Sequence, residues 1–183
     1  MNFYIGDLHF GHSNILKYDN RPFESVEDMM KTILCNWNSI VTKHDDVYIL
    51  GDVNFSNKWD EVNEFMRLAN GKKHLIRGNH DSRLNKDLVN QMVEVVDYKE
   101  LKDNGTRVVL CHYPIAHWNR QYNGAIHLYA HIHNSKDYDL FREYIKMCRE
   151  HSIPAECYNV GCMIDYMNYT PRTLKHIKEH CDN

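Results

Sequence analysis

The chain lacks several features that would place it in common classes of protein. It has no apolar stretch near the roughly 18 residues of a membrane span, and it opens without the basic segment and apolar run of a secretion signal. Glycine and proline are sparse, at 8 and 4 in 183 residues, and we find no repeat, low-complexity tract or linker. These absences predict one domain over residues 1–183, soluble and cytoplasmic, with no membrane partner.

The six cysteines do not form a recognisable metal or redox motif. They are scattered along the chain, with no Cys-x-x-Cys pair, at Cys35, Cys111, Cys148, Cys157, Cys162 and Cys181. This spacing argues against a zinc ribbon and against a thioredoxin-like site. Without a secretion signal, we expect the thiols to be reduced.

An excess of positive charge is also missing. The formal net charge is -3, which counts against a protein that binds nucleic acid through bulk positive charge. The net charge does not exclude a nuclease that acts on short or single strands. It does not exclude a phosphate-ester enzyme either, because bound cations supply positive charge that a residue count misses.

Potential metal ligands are abundant at the ends of apolar runs. The chain has 13 histidines, and seven side chains of ligand type follow predicted strands: Asp7, His9, Asp52, Asn79, His112, His131 and His133. In open α/β sheets, ligands bind in the crevice beyond the carboxyl ends of the strands. Five strand ends of this kind can share one pocket.

The coarse pattern alternates strand and helix. Strands are predicted at Asn2–Gly6, Val47–Leu50, His74–Ile76, Val93–Leu101, Arg107–Cys111, Ile126–Ala130 and Cys157–Val160, with a hairpin turn at Asp103–Gly105. Helices are predicted from Ser25, whose capping-box partner is Asp28, over Trp59–Ala69, over Tyr138–Arg149, and from Thr170 with Pro171 as first helical residue. One mixed α/β domain follows, and the strand pairs of the second half suggest a second sheet.

The ligand types favour a borderline or hard divalent metal. Four histidines, two aspartates and one asparagine suit manganese, iron, nickel, cobalt or zinc. Seven ligands are too many for one tetrahedral ion and suit two ions that share a carboxylate, about 3.5–4 Å apart, as in phosphoryl chemistry. Asp52 is the best shared ligand, because it follows the flexible Gly51 and has no second ligand beside it.

In these residues the chain resembles the calcineurin-like metallophosphoesterases. The resemblance lies in five ordered blocks: Asp7-Leu8-His9, Gly51-Asp52, Gly78-Asn79-His80-Asp81, His112, and Ala130-His131-Ile132-His133. The segment Asp7–Asn14 is similar to small bacterial and phage-encoded members. Ala130 departs from the family's usual glycine, which is tolerable where the backbone has negative φ.

The resemblance implies a four-layer α/β/β/α sandwich of two mixed β-sheets flanked by helices. It also implies two divalent ions, with manganese favoured, a metal-bridging hydroxide as nucleophile, His80 as general acid and Asp81 orienting or charging His80. The first ion would bind Asp7, His9, Asp52 and His133, and the second would bind Asp52, Asn79, His112 and His131.

The substrate is expected to be a small phosphate ester. Arg77 could bind a phosphate oxygen or pair with a surface carboxylate, and His12 could touch substrate or fix its loop. The segment Ile115–Asn123 is either a substrate wall or an ordinary exposed loop. Its candidate contact residues are His117, Trp118, Arg120, Gln121 and Tyr122.

We expect a phosphodiesterase, because the short chain has no obvious cap domain. A phosphomonoesterase or protein phosphatase with the same centre, and a non-catalytic scaffold that keeps the fold, are the alternatives. A homo-oligomer is compatible with the sequence.

Overall fold

Two β-sheets of four strands each organise the part of the chain that the structure, a computed structural model, describes: residues 1–56 and 59–181. The first sheet holds β1 (Asn2–Gly6), β2 (Asp46–Leu50), β3 (Lys72–Ile76) and β4 (Met92–Val96), paired in parallel in that order. The second holds β5 (Tyr98–Asp103), β6 (Thr106–Cys111), β7 (Ile126–Tyr129) and β8 (Cys157–Asn159). There, β5 and β6 are antiparallel and the other pairings are parallel.

Helices connect the strands and pack on the sheets. They are α1 (Ile15–Tyr18), α2 (Val26–Ile40), α3 (Trp59–Leu68), α4 (Lys86–Asn90), α5 (Lys136–Glu150) and α6 (Leu174–His180). The α2 helix begins as its sequence predicts, since Ser25 is the N-cap and its Oγ accepts the backbone N–H of Asp28 at 3.1 Å. Within the described ranges, no helix is both long and apolar enough to cross a membrane.

The two sheets meet through buried residues of β1. Phe3, Tyr4 and Ile5 are buried, and the Tyr4 hydroxyl donates to Asp103 at the end of β5, at 2.9 Å. A Cβ on Gly6 would lie 2.8 Å from the Ala130 Cβ, so glycine lets the first sheet approach the second closely. The α/β sandwich of two sheets flanked by helices is thereby confirmed, and the carboxyl ends of β1 and β7 lie side by side.

The strand predicted over Val93–Leu101 is in fact two strands in different sheets. β4 pairs with β3 in the first sheet, whereas β5 alone forms the hairpin with β6. The turn itself is confirmed, because Asn104 and Gly105 have φ of +46° and +88°, as a tight hairpin requires. Both strands belong to one run that the sequence predicts as a single strand, so the local sequence does not indicate where the chain passes from one sheet to the other.

The last helix begins later than the sequence predicts. Thr170 is not its N-cap: α6 is capped by Thr173, whose Oγ accepts the His176 N–H at 3.3 Å. Arg172 instead exchanges backbone hydrogen bonds with Tyr4, at 2.9 and 3.0 Å. This pairing with β1 holds the Thr-Pro segment out of the helix, so a tertiary contact outweighs a local signal.

A buried neutral histidine should make the fold sensitive to acid. His127 on β7 accepts the Ile115 N–H at Nε2 and therefore donates from Nδ1 to the Val109 carbonyl, each at 3.1 Å. Burial lowers the pKa of His127 from 6.5 to about 4. The unfolded chain takes up a proton on this histidine at higher pH than the folded chain does. Neutral His127 therefore contributes to the free energy of unfolding above pH 6.5, and this contribution is lost as the pH falls toward 4.

We expect His127 to account for about 2 kcal/mol of the free energy of unfolding lost between about pH 7 and pH 5. Urea unfolding of chelator-treated protein measures this loss. His127→Gln should reduce the pH dependence by that amount, while the exposed control His44→Gln should keep it. An unchanged dependence in His127→Gln would contradict the assignment.

Candidate metal centre

The seven predicted ligands lie together at the carboxyl ends of the strands. Asp7 follows β1, Asp52 follows β2, Asn79 follows β3, His112 follows β6, and His131 and His133 follow β7. Two sets of side chains bring ligand atoms within 4.8 Å of one another: Asp7, His9, Asp52 and His133, and then Asp52, His112 and His131. Asn79 joins the second set through its Oδ1, 3.1 Å from His112 Nε2. Asp52 is common to both sets.

The backbone is strained at most of these positions. Positive φ values occur at Asp7 (+53°), His9 (+50°), Asp52 (+52°), His131 (+70°) and His133 (+49°). A left-handed conformation costs a residue other than glycine about 1–2 kcal/mol. Such strain persists where the surrounding structure imposes it, and it concentrates at functional sites.

Backbone contacts between the loop after β1 and the loop after β2 hold Asp7, His9 and Asp52 in this conformation. The Asp7 N–H donates to the Gly51 carbonyl at 3.1 Å, and the His9 N–H donates to the Asp52 carbonyl at 2.8 Å. Gly51 has φ of +78°, and a Cβ there would lie 2.5 Å from His112 Nδ1. The sharp turn before Asp52 therefore requires glycine, as the sequence indicates.

His112 presents a lone pair to the centre. Its Nδ1 donates to the Leu50 carbonyl at 2.8 Å, which leaves Nε2 unprotonated in the neutral ring. That Nε2 lies 3.1 Å from Asn79 Oδ1 and 3.6 Å from Asp52 Oδ2, both of which are acceptors. Acceptors that face one another in a buried site fit a cation between them.

The Nε2 atoms of His9 and His133 face each other at the other set. These two atoms are 3.1 Å apart, and His9 Nε2 is 3.5 Å from Asp52 Oδ2. The buried Nδ1 of His9 has no hydrogen-bond partner among the described residues. Burial, followed by the neighbouring His133, lowers the pKa of His9 far below its ordinary value, so its ring is neutral and available as a ligand.

The two carboxylates are almost fully enclosed. Asp7 is 0% exposed and Asp52 is 2% exposed. Burial raises the pKa of Asp7, although its carboxylate accepts the His131 N–H at 3.1 and 3.2 Å. An enclosed carboxylate is costly unless a cation neutralises it, and a bound divalent ion would remove that cost. The donor set therefore fits the divalent metals that the sequence suggests.

Asp19 and Arg21 contact the candidate ligands and were not predicted from the sequence. His133 Nδ1 donates to Asp19 at 2.8 Å, which fixes the ring with Nε2 toward Asp7. Burial opposes a charge on His133, but the bond to Asp19 raises its pKa overall. Arg21 is buried, lies 2.7 Å from Asp19, and donates to the Asp7 carbonyl at 2.9 Å. Neither residue follows a strand, so the pattern of strand ends gave no signal for them.

His80 lies between the ligands and the surface. Its N–H donates to Asp52 Oδ1 at 3.0 Å, and its Nε2 is 3.9 Å from Asp52 Oδ2. The side chain is 37% exposed, and its ring meets Phe55 at 4.7 Å between centroids. A group bound at the metal ligands would thus be within reach of an imidazole that is also open to solvent.

Asp81 acts on the backbone and not on the His80 ring. The carboxylate of Asp81 is buried and accepts three backbone N–H groups, from Asp52 at 2.8 Å, Gly78 at 2.9 Å and Val53 at 3.1 Å. It therefore ties the loop of Asp52 to that of Asn79. The expected orientation or charging of His80 by Asp81 is corrected to this role in positioning the two loops.

The two predicted substrate-binding residues lie in different surroundings. Arg77 forms a bidentate ion pair with Asp97 on the exposed surface, at 2.8 and 2.9 Å. Pairing with a surface carboxylate was one of the two possibilities considered for Arg77 from the sequence. His12 lies beside the centre, stacked on Phe55, with its Nδ1 buried and unpartnered among the described residues. A contact of either residue with substrate stays a prediction.

The segment Ile115–Asn123 does not present its Trp118 and Gln121 as a wall. Trp118 is buried and donates to the Ala125 carbonyl at 2.8 Å, and Gln121 is buried and donates to the Pro154 carbonyl at 2.6 Å. The exposed aromatic rings at the centre are instead those of Phe55 and Tyr113, which are 46% and 44% exposed. Tyr113 directly follows His112 and Phe55 lies three residues after Asp52, a placement that could have indicated them.

Comparisons with known proteins agree with this geometry. A sequence profile described as calcineurin-like phosphoesterase matches residues 3–160. An uncharacterized protein of Methanocaldococcus jannaschii is 34% identical over 172 residues, which covers 93% of this chain and 85% of that protein. A Gene 66 protein of a Mycobacterium phage is 28% identical over 158 residues, covering 72% of this chain and 77% of the phage protein. The crystal structure of a protein of unknown function from Aquifex aeolicus superimposes with a TM-score of 0.73 at 23% identity, over 99% of each chain.

The two-sheet fold, its cluster of buried ligands and the matching profile define a metal-dependent phosphoesterase. Ala130, where the family usually has glycine, is not among the residues with positive φ, so alanine fits there without strain. The chain belongs to the calcineurin-like phosphoesterases.

Proposed function

We propose that the protein is a phosphodiesterase that works with two divalent ions. The observation that carries this proposal is the pair of ligand sets sharing Asp52, with His80 at their edge. Asp7, His9, Asp52 and His133 would hold one ion, and Asp52, Asn79, His112 and His131 the other. Manganese is our first choice, because nitrogen and oxygen ligands of this kind suit it.

When bound, two such ions supply Lewis acidity and make water acidic enough to attack phosphorus near neutral pH. The protein's own residues supply the rest of the chemistry. Asp52 holds both sites together, while Asp81 fixes the Asp52 loop through the backbone. His80 donates a proton to the oxygen of the leaving alcohol, and its exposure to solvent allows the proton to be replaced.

A diester is favoured over a monoester because the rim of the centre is open. Phe55, Tyr113 and His80 are each more than a third exposed, so space remains for the second esterified group. A phosphomonoesterase or protein phosphatase would use the same ligands. A scaffold without activity is less consistent with the complete ligand set and with His80 beside it.

The ranking of two chromogenic substrates tests this proposal. Manganese-loaded protein should hydrolyse bis(p-nitrophenyl) phosphate at least about tenfold faster, by kcat/KM, than p-nitrophenyl phosphate. The reverse ranking would identify a monoesterase. Absence of hydrolysis, together with no metal in protein never exposed to chelator, would favour the scaffold.

A further inference from the structure

A row of aromatic rings leads from the surface to the metal ligands. In order, its members are Tyr18, His12, Phe55 and His80, which we call the aromatic strip. Tyr18 is 71% exposed and meets His12 edge to face at 6.0 Å. His12 stacks on Phe55 at 4.0 Å with 19° between the planes, and Phe55 meets His80 at 4.7 Å. His80 in turn meets the ligand His9 at 5.6 Å.

Phe55 is fixed in place although almost half of it is open to solvent. Its N–H donates to the Phe10 carbonyl at 2.9 Å, its ring stacks on His12 through one face, and it meets His80 at 68° between the planes. An exposed phenyl ring held rigidly beside polar groups is costly in water and favourable for stacking a planar partner. The adjacent His12 also has a buried Nδ1 with no hydrogen-bond partner among the described residues.

The position of Phe55 indicates which part of a substrate it would contact. It touches His80, the proposed proton donor to the leaving alcohol, whereas Tyr113 touches His131 at 4.6 Å and His112 at 5.2 Å in the second ligand set. A phosphate held at the shared Asp52 would therefore project its leaving group along the strip. Tyr113 borders the second set of ligands.

We propose that Phe55 determines substrate specificity by stacking on a nucleobase. The substrate would be a linear phosphodiester between two nucleosides, and the stacked base would belong to the nucleoside that leaves. This inference rests on the proposed phosphodiesterase activity and narrows its substrate class. A nucleobase has the planar face that stacks on an aromatic ring, and such stacking tolerates any base. Neither a positive groove nor base-edge hydrogen bonds are needed, which agrees with the net charge of -3.

The test compares deoxydinucleoside monophosphates with analogues in which one base is replaced by hydrogen. The deoxyribose removes any participation by a 2′-hydroxyl, and the leaving oxygen of the abasic analogue belongs to the same deoxyribose hydroxyl. We make the replacement on each nucleoside in turn and determine from the products which one leaves. For the wild type, loss of the leaving base should lower kcat/KM about tenfold.

The variants separate stacking from structural damage. Phe55→Ala should lower kcat/KM about tenfold on the intact dinucleotide and less than about twofold on the analogue without the leaving base. Phe55→Leu fills most of the same space against His12 without a π face and should reproduce the loss. Met147→Ala, at an exposed apolar residue of α5 that is 49% open to solvent, should change neither value.

Each other result overturns the inference. If the wild type hydrolyses intact and abasic diesters equally, or hydrolyses bis(p-nitrophenyl) phosphate but no dinucleotide, Phe55 does not select a base. The same holds if Phe55→Ala lowers both rates equally while Phe55→Leu lowers neither. No hydrolysis of any diester by the metal-loaded wild type would instead refute the phosphodiesterase proposal itself.

Discussion

Replacement of Asp52 should abolish metal binding at both positions and nearly all turnover. Its carboxylate is 2% exposed and lies 3.5 Å from His9 Nε2 in one ligand set and 3.6 Å from His112 Nε2 in the other. Removal of this charge leaves each set without its common carboxylate. Because loss of an outer contact to a metal ligand already costs about 10- to 100-fold, we expect a loss of activity of at least about 100-fold.

Asp52→Asn is the informative variant, because it keeps the size of the side chain and an Oδ1 that can accept the His80 N–H. Its metal content, measured by mass spectrometry after loading and desalting, should fall to a small fraction of the wild-type value. The control Asp60→Ala, at an exposed acidic residue of α3, should keep both metal and activity. Two equivalents of metal in Asp52→Asn would contradict the shared-ligand arrangement.

Replacement of His80 should slow the chemistry while leaving metal binding intact. General acid catalysis contributes about 10²- to 10⁴-fold where the leaving group needs a proton. His80→Ala should therefore show a loss in this range with diphenyl phosphate. With bis(p-nitrophenyl) phosphate the loss should shrink, because p-nitrophenolate leaves without much protonation.

Two measurements distinguish this role from a structural one. The metal content of His80→Ala should match the wild type, since its side chain lies outside the two ligand sets. The exposed control His44→Ala should behave as the wild type with both substrates. An equal defect with good and poor leaving groups, or a loss of metal, would show that His80 does not act as the general acid.

The clustering of the candidate ligands could be predicted from the sequence because their positions follow a local rule. Each comes just after a strand, and parallel strands carry their carboxyl ends to one edge, so Asp7 and Asp52 had to lie close together. The turn glycine Gly51 and the hairpin at Gly105 were likewise local properties of the chain.

What the sequence did not predict depends on distant contacts. Asp19 meets His133 across 114 residues, and Arg172 is held in an extended segment by Tyr4. The division between β4 and β5 depends on which sheet each strand joins, and not on its own residues. Asp81 looked like a partner for its neighbour His80 because adjacency in sequence was the only available guide.

The left-handed backbone at five of the seven ligands has a consequence for how the ions are acquired. At about 1–2 kcal/mol each, these conformations would cost several kcal/mol if the loops had to adopt them on binding. Folding of the two sheets meets this cost beforehand, so an ion entering the cleft encounters ligands that need no rearrangement. Preorganisation of this kind converts part of the folding free energy into affinity for the cation, at the expense of the overall stability of the chain.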